Sequence, residues 1–230
     1  MNVLDLFSGI GGFSLGLERA GMKTIAFCEV DKKCQEVLRK HWKDVPIFDD
    51  VTTLKGKDIE QTVDVICGGF PCQDISFAGK GAGLEGERSG LWWEFHRLIK
   101  EIKPKWAIIE NVSALRNRGL DQVLRSLNEI GYDAEWHCIT AASIGAPHRR
   151  DRIWIIAYSN NEGLQGQRKI TGRISKELKD PSYSCWWATE PNVGRVAYGI
   201  PNRVDRLKQL GNAVVPQIPE LIGRAICQAG

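Results

Sequence analysis

The sequence predicts an α/β fold in which a parallel sheet is covered by helices on both faces. Three observations carry that prediction. Short apolar runs alternate with amphipathic stretches along most of the chain. A glycine-rich turn joins the first run to the first amphipathic stretch, and a Pro-Cys pair, Pro71-Cys72, follows a later run. Strand-to-loop junctions of this kind lie at the carboxyl edge of α/β sheets, where ligands bind.

Taken in order, residues 3–7 read as the first strand and residues 14–20 as the start of the first helix. Residues 24–27 form a second strand, and 31–41 a helix for which Asp31 is a natural N-cap. A third strand precedes Asp50. Residues 63–67 and 106–109 are further strands. Between them, 91–102 carries helical apolar spacing at Leu91, Phe95, Leu98, Ile99 and Ile102. Residues 120–130 repeat that pattern, and 153–157 is a late strand. From 159 to 202 the alternation stops; this stretch is rich in Gly, Asn, Ser, Lys and Arg, contains the adjacent Trp186 and Trp187, and reads as an irregular insert. Order returns at 206–210, and 216–227 reads as a closing helix with Pro216 at its first turn.

At 230 residues the chain suits one well-filled domain plus a small appendage. A hydrophobic content of 43% with 26% charged residues is that of an ordinary soluble globular protein. The formal charge of +3, from 31 Lys plus Arg against 28 Asp plus Glu, is too small to prove nucleic-acid binding. Charge is nevertheless concentrated locally, at 147–152, at 168–179 and at Arg203, Arg206 and Lys208. The seven cysteines show no Cys-x-x-Cys or Cys/His ligand spacing, which argues against a disulfide framework and against a zinc site. The amino terminus lacks a basic leader with a long apolar core, and no apolar run approaches the ~20 residues that span a bilayer. The expectation is a soluble protein of a reducing interior, in the cytoplasm.

The first turn reads Asp5-Leu6-Phe7-Ser8-Gly9-Ile10-Gly11-Gly12. Its glycines let the backbone turn tightly and approach a ligand, and the following helix start offers free N–H groups. Glu29 ends the second strand, where a carboxylate can accept two ribose hydroxyls. Asp50 could likewise receive an adenine amino group. Each carboxylate alone is compatible with a loop-end or helix-cap role; their β-α order favours a nucleoside cofactor. Cys72 stands in Gly68-Gly69-Phe70-Pro71-Cys72-Gln73-Asp74-Ile75-Ser76, placed as a nucleophile that could attack an electron-poor carbon.

With these residues in view, the chain resembles the DNA (cytosine-5) methyltransferases, in their compact phage and bacterial form. Five motifs occur in family order: Asp5 to Phe13, Gly69-Phe70-Pro71-Cys72-Gln73, Glu110-Asn111-Val112, His148-Arg149-Arg150-Asp151-Arg152, and Gly211-Asn212-Ala213-Val214. His148 replaces the family's Gln and Ala213 its Ser. The likeness covers about 1–158 and 203–230 and fades between them. It implies a Rossmann-like S-adenosylmethionine-dependent methyltransferase fold with a mixed, mostly parallel sheet and a small irregular target-recognition insert. Residues 1–158 would be the catalytic and cofactor-binding domain, 159–202 the insert, and 203–230 a segment completing the first domain.

The resemblance also implies roles. Phe7 would stack on the adenine side of S-adenosylmethionine, with Ile10, Gly11 and Gly12 lining its pocket. Glu29 would hold the ribose, and Val30, Asp50 and Val51 the adenine. Gly69 and Pro71 would meet the methionine end, Leu91 would contact the cofactor, and Asn212, Ala213 and Val214 would close the pocket. Cys72 would attack cytosine carbon 6, making carbon 5 nucleophilic enough to take a methyl group. Glu110 would contact ring nitrogen 3 and the exocyclic amine, Arg152 oxygen 2, and Arg150 would lie near the phosphates or the loop.

The base must be flipped out of the duplex to be reached. The glycine-rich, cationic stretch 73–90, with Gln73, Ser76, Lys80 and Arg88, would close over base and backbone. His148 and Arg195 complete the expected substrate contacts. Arg168, Lys169, Arg173, Lys176 and Lys179 of the insert could meet phosphates, while Trp186 and Trp187 could meet bases or anchor the insert. The implied partners are double-stranded DNA, a cognate restriction endonuclease and a second copy in a homodimer, in a bacterial or phage-infected cell, with no metal and no membrane. Three alternatives stay open: a tRNA cytosine-5 methyltransferase, a non-catalytic DNA-binding homologue, and a nucleotide-dependent oxidoreductase, which would leave Cys72 and Arg152 without a role.

Overall fold

The computed structural model describes residues 1–71, 90–160, 170–177 and 209–229. Its core is a seven-stranded sheet. In chain order the elements are β1 (Asn2–Leu6), α1 (Gly12–Arg19), β2 (Lys23–Cys28), α2 (Lys32–His41), β3 (Ile47–Phe48), β4 (Val65–Gly69), α3 (Leu91–Ile102), β5 (Trp106–Val112), α4 (Leu120–Glu129), β6 (Tyr132–Thr140), β7 (Asp151–Ser159), α5 (Ile170–Glu177) and α6 (Gln217–Cys227). The strands lie in the order β3-β2-β1-β4-β5-β7-β6. The pairs among β1 to β5 are parallel, whereas β7 runs antiparallel to both β5 and β6. The sheet is therefore mixed and mostly parallel, as expected.

Strands buried on both faces need apolar residues at every position, and the central runs show this directly. In β5, Ala107 and Ile109 enter one core while Trp106 and Ile108 enter the other. The first core packs α3 and α4 on the sheet through Trp92, Phe95, Leu98, Ile99, Leu120, Val123 and Leu127. The second packs α1, α5 and α6 on the opposite face through Phe13, Leu17, Ile170, Ile174, Leu221, Ile222 and Ile226.

Helix ends follow their local chemistry. Asp31 caps α2, its Oδ1 accepting from the N–H groups of Lys33 (2.9 Å) and Cys34 (3.4 Å). Pro216 stands at the N-cap of α6. The N-terminus of α1 is instead satisfied from inside the core. Asp5, fully buried on β1, accepts from the Ser14 hydroxyl (2.7 Å) and the Ser14 N–H (3.3 Å). Helices α1 and α6 approach closely because Gly16 lacks a side chain; a methyl there would press into the Pro216 carbonyl and the Glu220 N–H. Gly223 serves the same contact from α6, where a methyl would meet Ala20 at 2.8 Å.

Three elements differ from the expectation. β6 was not foreseen; β7 is longer than the predicted late strand, reaching Ser159; and the stretch from 159 is not wholly irregular, because α5 docks Ile170 and Ile174 into the second core. Arg173, expected near phosphates, donates to the Ala225 carbonyl of α6 (3.5 Å). Trp186, Trp187 and the insert's other cations, Arg168, Lys169 and Lys179, lie outside the described residues. Among the described residues no helix is long and apolar enough to cross a membrane, no cluster could hold a metal, and Cys28, Cys34, Cys67, Cys138 and Cys227 form no disulfide.

Two outcomes follow from this packing. Gly16→Ala should destabilise the fold by about 1–3 kcal/mol, since backbone atoms cannot yield to the methyl; an unchanged urea midpoint would contradict the close approach. Burial pushes the Asp5 carboxyl up from 3.8 to about 7, against the hydrogen bonds from Ser14. The folded state thus retains a proton that the unfolded chain releases. That stability is fully present below 3.8 and is lost as pH rises towards about 7. The loss is at most about 1.4 kcal/mol per pH unit. Asp5→Asn keeps an acceptor for Ser14 and should flatten the slope between about pH 5 and 7 by one proton, as read by denaturant titrations; an identical slope in both proteins would overturn this assignment.

Candidate active site

Of the expected site residues, Phe7, Glu29, Gly69 and Glu110 lie at the carboxyl ends of β1, β2, β4 and β5, on both sides of the point where strand order reverses between β1 and β4. The turn after β1 winds through three left-handed residues, Phe7 (φ 52), Gly9 (φ 54) and Gly11 (φ 84). Phe7 alone carries a side chain there, a conformation that surrounding contacts must hold. The Ser8 hydroxyl does so, donating to the Asp5 carbonyl (2.6 Å) and towards the Cys28 carbonyl (3.3 Å). The ring of Phe7 then lies stacked beside Phe95 of α3, with centroids 6.4 Å apart.

Glu29 ends β2, buried to 9% exposure. Its Oε2 accepts from the Gly9 N–H (2.7 Å) and its Oε1 from the Asp31 N–H (2.8 Å), so one carboxylate ties the turn to the start of α2. Burial raises its pKa, and these N–H groups oppose the shift. Each oxygen keeps a lone pair with which to accept a hydroxyl. Val30, next in the chain, is 72% exposed, an apolar platform at the sheet edge. Asp50 accepts from the Thr52 N–H (2.8 Å) and organises a turn. The Val51 side chain is buried in the first core beneath it, and Leu91 opens α3, half-buried against the same core.

The other end of the candidate site is built around Glu110 on β5. Its register partner on β4 is Gly69, where a methyl would stand 2.6 Å from the Glu110 carboxylate. On the other side, reversed β7 pairs Val112 with Arg152, and Arg152 Nε meets Glu110 Oε1 at 2.9 Å. Burial raises the Glu110 pKa; the charges of Arg152 and Arg150 and the hydrogen bond from Arg152 pull against it. Arg150 adopts a left-handed conformation (φ 33) and donates to the Gly211 carbonyl. That bond ties the β6–β7 connection to the late segment.

A cavity of about 800 Å³ opens at this junction. Ile10, Gly11 and Gly12 line one wall, His148, Arg150 and Arg152 a second, and Gly211, Ala213 and Val214 a third. Gly12 permits that closure, since a methyl on it would stand 2.6 Å from the Val214 carbonyl. Asn212 is exposed at the end of a helical turn before the wall. Pro71 is the last described residue before Cys72. Cys72, Gln73, Ser76, Lys80, Arg88 and Arg195 lie outside the described residues.

Two supporting side chains escaped the sequence reading. Asn111, 2% exposed, donates through Nδ2 to the Phe70 carbonyl (3.0 Å) and accepts from the Val112 N–H (2.8 Å). It thereby braces the backbone that leads into Pro71 and Cys72; its place inside the Glu-Asn-Val motif was the available signal. Gln35, fully buried in α2, donates to the Glu29 carbonyl and to Asp49 Oδ1 (2.8 Å). Nothing in its spacing marked it, beyond being a polar residue on an apolar helix face.

The model of the family described as C-5 cytosine-specific DNA methylase matches residues 1–194. The Type II methyltransferase M.Eco47II of Escherichia coli is 39% identical over 165 residues, covering 69% of this chain and 40% of that protein. M.HhaI of Haemophilus parahaemolyticus, also a Type II methyltransferase, is 36% identical over 169 residues, covering 72% of this chain and 51% of its own. The chain thus spans about half the length of these relatives. Among solved structures, S. pombe Dnmt2 methyltransferase superposes with a TM-score of 0.64 over 85% of this chain and 59% of its own; at 20% identity it shows a shared fold. The chain belongs to the C-5 cytosine-specific DNA methylase family.

Proposed function

We propose that this protein transfers a methyl group from S-adenosylmethionine to carbon 5 of cytosine in duplex DNA, with the base flipped out and Cys72 bonded transiently to carbon 6. The observation that carries the reading is the Glu110–Arg152 pair, 2.9 Å apart, beside Gly69 on the strand that leads to Cys72. A carboxyl group and a guanidinium held side by side match the edge of a cytosine, which offers a ring nitrogen, an exocyclic amine and a carbonyl oxygen.

The residues at the sheet edge fit the cofactor. Glu29 keeps lone pairs for the ribose hydroxyls, exposed Val30 and the ring of Phe7 offer apolar surfaces to the adenine, and Asp50 stands at the same end. Gly12 and Gly69 remove the side chains that would fill the space beside Val214 and Glu110. Ala213 and Val214 wall the far side of the cavity. Bound there, S-adenosylmethionine supplies an electrophilic methyl group.

The protein's own residues would prepare the base. Cys72 would present a thiolate to carbon 6. The raised pKa of Glu110 suits a group that holds a proton at ring nitrogen 3 as electrons move into the ring. Arg152 would steady oxygen 2, and Asn111, through the Phe70 carbonyl, would fix the backbone that carries the thiol. His148, Arg150, Lys80, Arg88, Gln73, Ser76 and Arg195 are the proposed contacts to the flipped base and its strand. The late segment 203–230 would complete the domain, and 159–202 would face the target. A cytoplasmic setting, a cognate restriction endonuclease and a homodimer belong to the same reading; Type II relatives from bacteria support the first two.

The test is transfer of a labelled methyl group to unmethylated mixed-sequence duplex DNA, to tRNA and to free cytidine. Wild type should label duplex DNA, Cys72→Ala should label nothing, and Glu110→Gln should be slower by roughly 10²–10⁴-fold. Label confined to tRNA, or undiminished in Cys72→Ala, would overturn the proposal.

A further inference from the structure

Arg97, on α3, is engaged by all three of its guanidinium nitrogens. Nε donates to Glu94 Oε2 (2.8 Å) and Nη1 to Glu101 Oε1 (2.9 Å). Nη2 donates to two main-chain carbonyls, those of Val51 and Leu54 (2.9 Å each). Those carbonyls belong to the turn that follows Asp50. The turn's internal bonds use other groups: the Asp50 carbonyl accepts from the N–H groups of Thr53 and Leu54, and Asp50 Oδ1 accepts from the Thr52 N–H. From outside, Arg97 ties the turn to α3. Glu101, one turn further along the helix, secures the other end by accepting from the Gly56 N–H (2.8 Å).

We propose that Arg97 is a positioning residue for the adenine end of the cofactor site. The inference rests on the reading of Asp50, Val51 and Leu91 as adenine contacts. Leu91 begins the helix that carries Arg97, so α3 joins two walls of that subsite into one rigid unit. The Val51 and Leu54 side chains beneath the turn are buried at 6% and 2% exposure and anchor it to the first core. Outward movement would break the bonds from Arg97 and Glu101 and expose Val51 and Leu54, and a cavity of about 600 Å³ lined by Thr52, Lys55, Lys57, Arg97 and Glu101 opens on that side. A lysine cannot reproduce the arrangement, because one ammonium does not span two carboxylates and two carbonyls lying in the plane of a fork.

The experiment measures KM for S-adenosylmethionine, KM for duplex DNA and kcat, together with binding of S-adenosylhomocysteine and of S-inosylhomocysteine, whose base carries a carbonyl in place of the adenine amine. Wild type, Arg97→Lys, Arg97→Met and Asp50→Ala are compared. Arg97→Lys should raise the cofactor KM about tenfold, with kcat at saturating cofactor and the KM for DNA changed less than about threefold, the signature of lost ground-state binding. The preference for the adenosyl over the inosyl ligand should fall in both Arg97→Lys and Asp50→Ala. If the preference falls in Asp50→Ala alone, Arg97 does not position the subsite and the proposal is overturned while the adenine reading stands. If it survives in both, the adenine reading itself has failed. A lowered melting temperature with unchanged cofactor KM in Arg97→Lys would make Arg97 merely structural, and that variant settles the matter even if Arg97→Met does not fold.

Discussion

One reversed strand sets what this site can be. A fully parallel continuation of the sheet would begin its next strand at the edge remote from the ligand. Because β7 runs antiparallel to β5, its first residues lie at the carboxyl edge instead, and Arg152 comes within 2.9 Å of Glu110. Both groups are largely withdrawn from water, and a pair in this position is costly to break because the surviving charge would be left without a partner. Burial and pairing pull the Glu110 carboxyl in opposite directions, with burial the larger. A carboxyl held in that balance can take up or share a proton.

Around this pair, space is left by the absence of side chains and the backbone is braced by polar groups. Gly69 and Gly12 stand where a single methyl would reach Glu110 or Val214. Polar side chains then hold the thinned backbone in place: Asn111 on the Phe70 carbonyl, Ser8 on the Asp5 carbonyl, Gln35 on the Glu29 carbonyl, Arg97 on the Val51 and Leu54 carbonyls. Backbone at one sheet edge is thus fixed at four places by buried or half-buried side chains. Such preorganisation lets binding and chemistry proceed with little backbone rearrangement.

Much of this was legible in the residues. The early strands were readable because strands covered on both faces need continuous apolar runs, and the capping of α2 by Asp31 followed from its position. β6 escaped notice although residues 132–138 alternate apolar and polar side chains; at an edge, with Asp133, Glu135 and His137 on one face, it lacks the apolar run of the inner strands. α5 was hidden because its two anchors, Ile170 and Ile174, lie among cations and its partner α6 is far along the chain. Of the candidate site residues, Glu29 stood out by its place at a strand end, and Glu110 and Arg152 through the motifs that carry the family resemblance. The site was not legible where a side chain acts on backbone atoms distant in sequence. Arg97 reaches carbonyls 43 and 46 residues away, and no local pattern announces such a bond.

The most direct test of the account is covalent trapping on duplex DNA containing 5-fluorocytosine, with S-adenosylmethionine present, for wild type, Cys72→Ala and Glu110→Gln. Fluorine at carbon 5 blocks release of the adduct, so wild type should form a stable protein–DNA complex, Cys72→Ala none, and Glu110→Gln one only slowly. A complex that forms equally well without Cys72 or without the Glu110 carboxyl would contradict it.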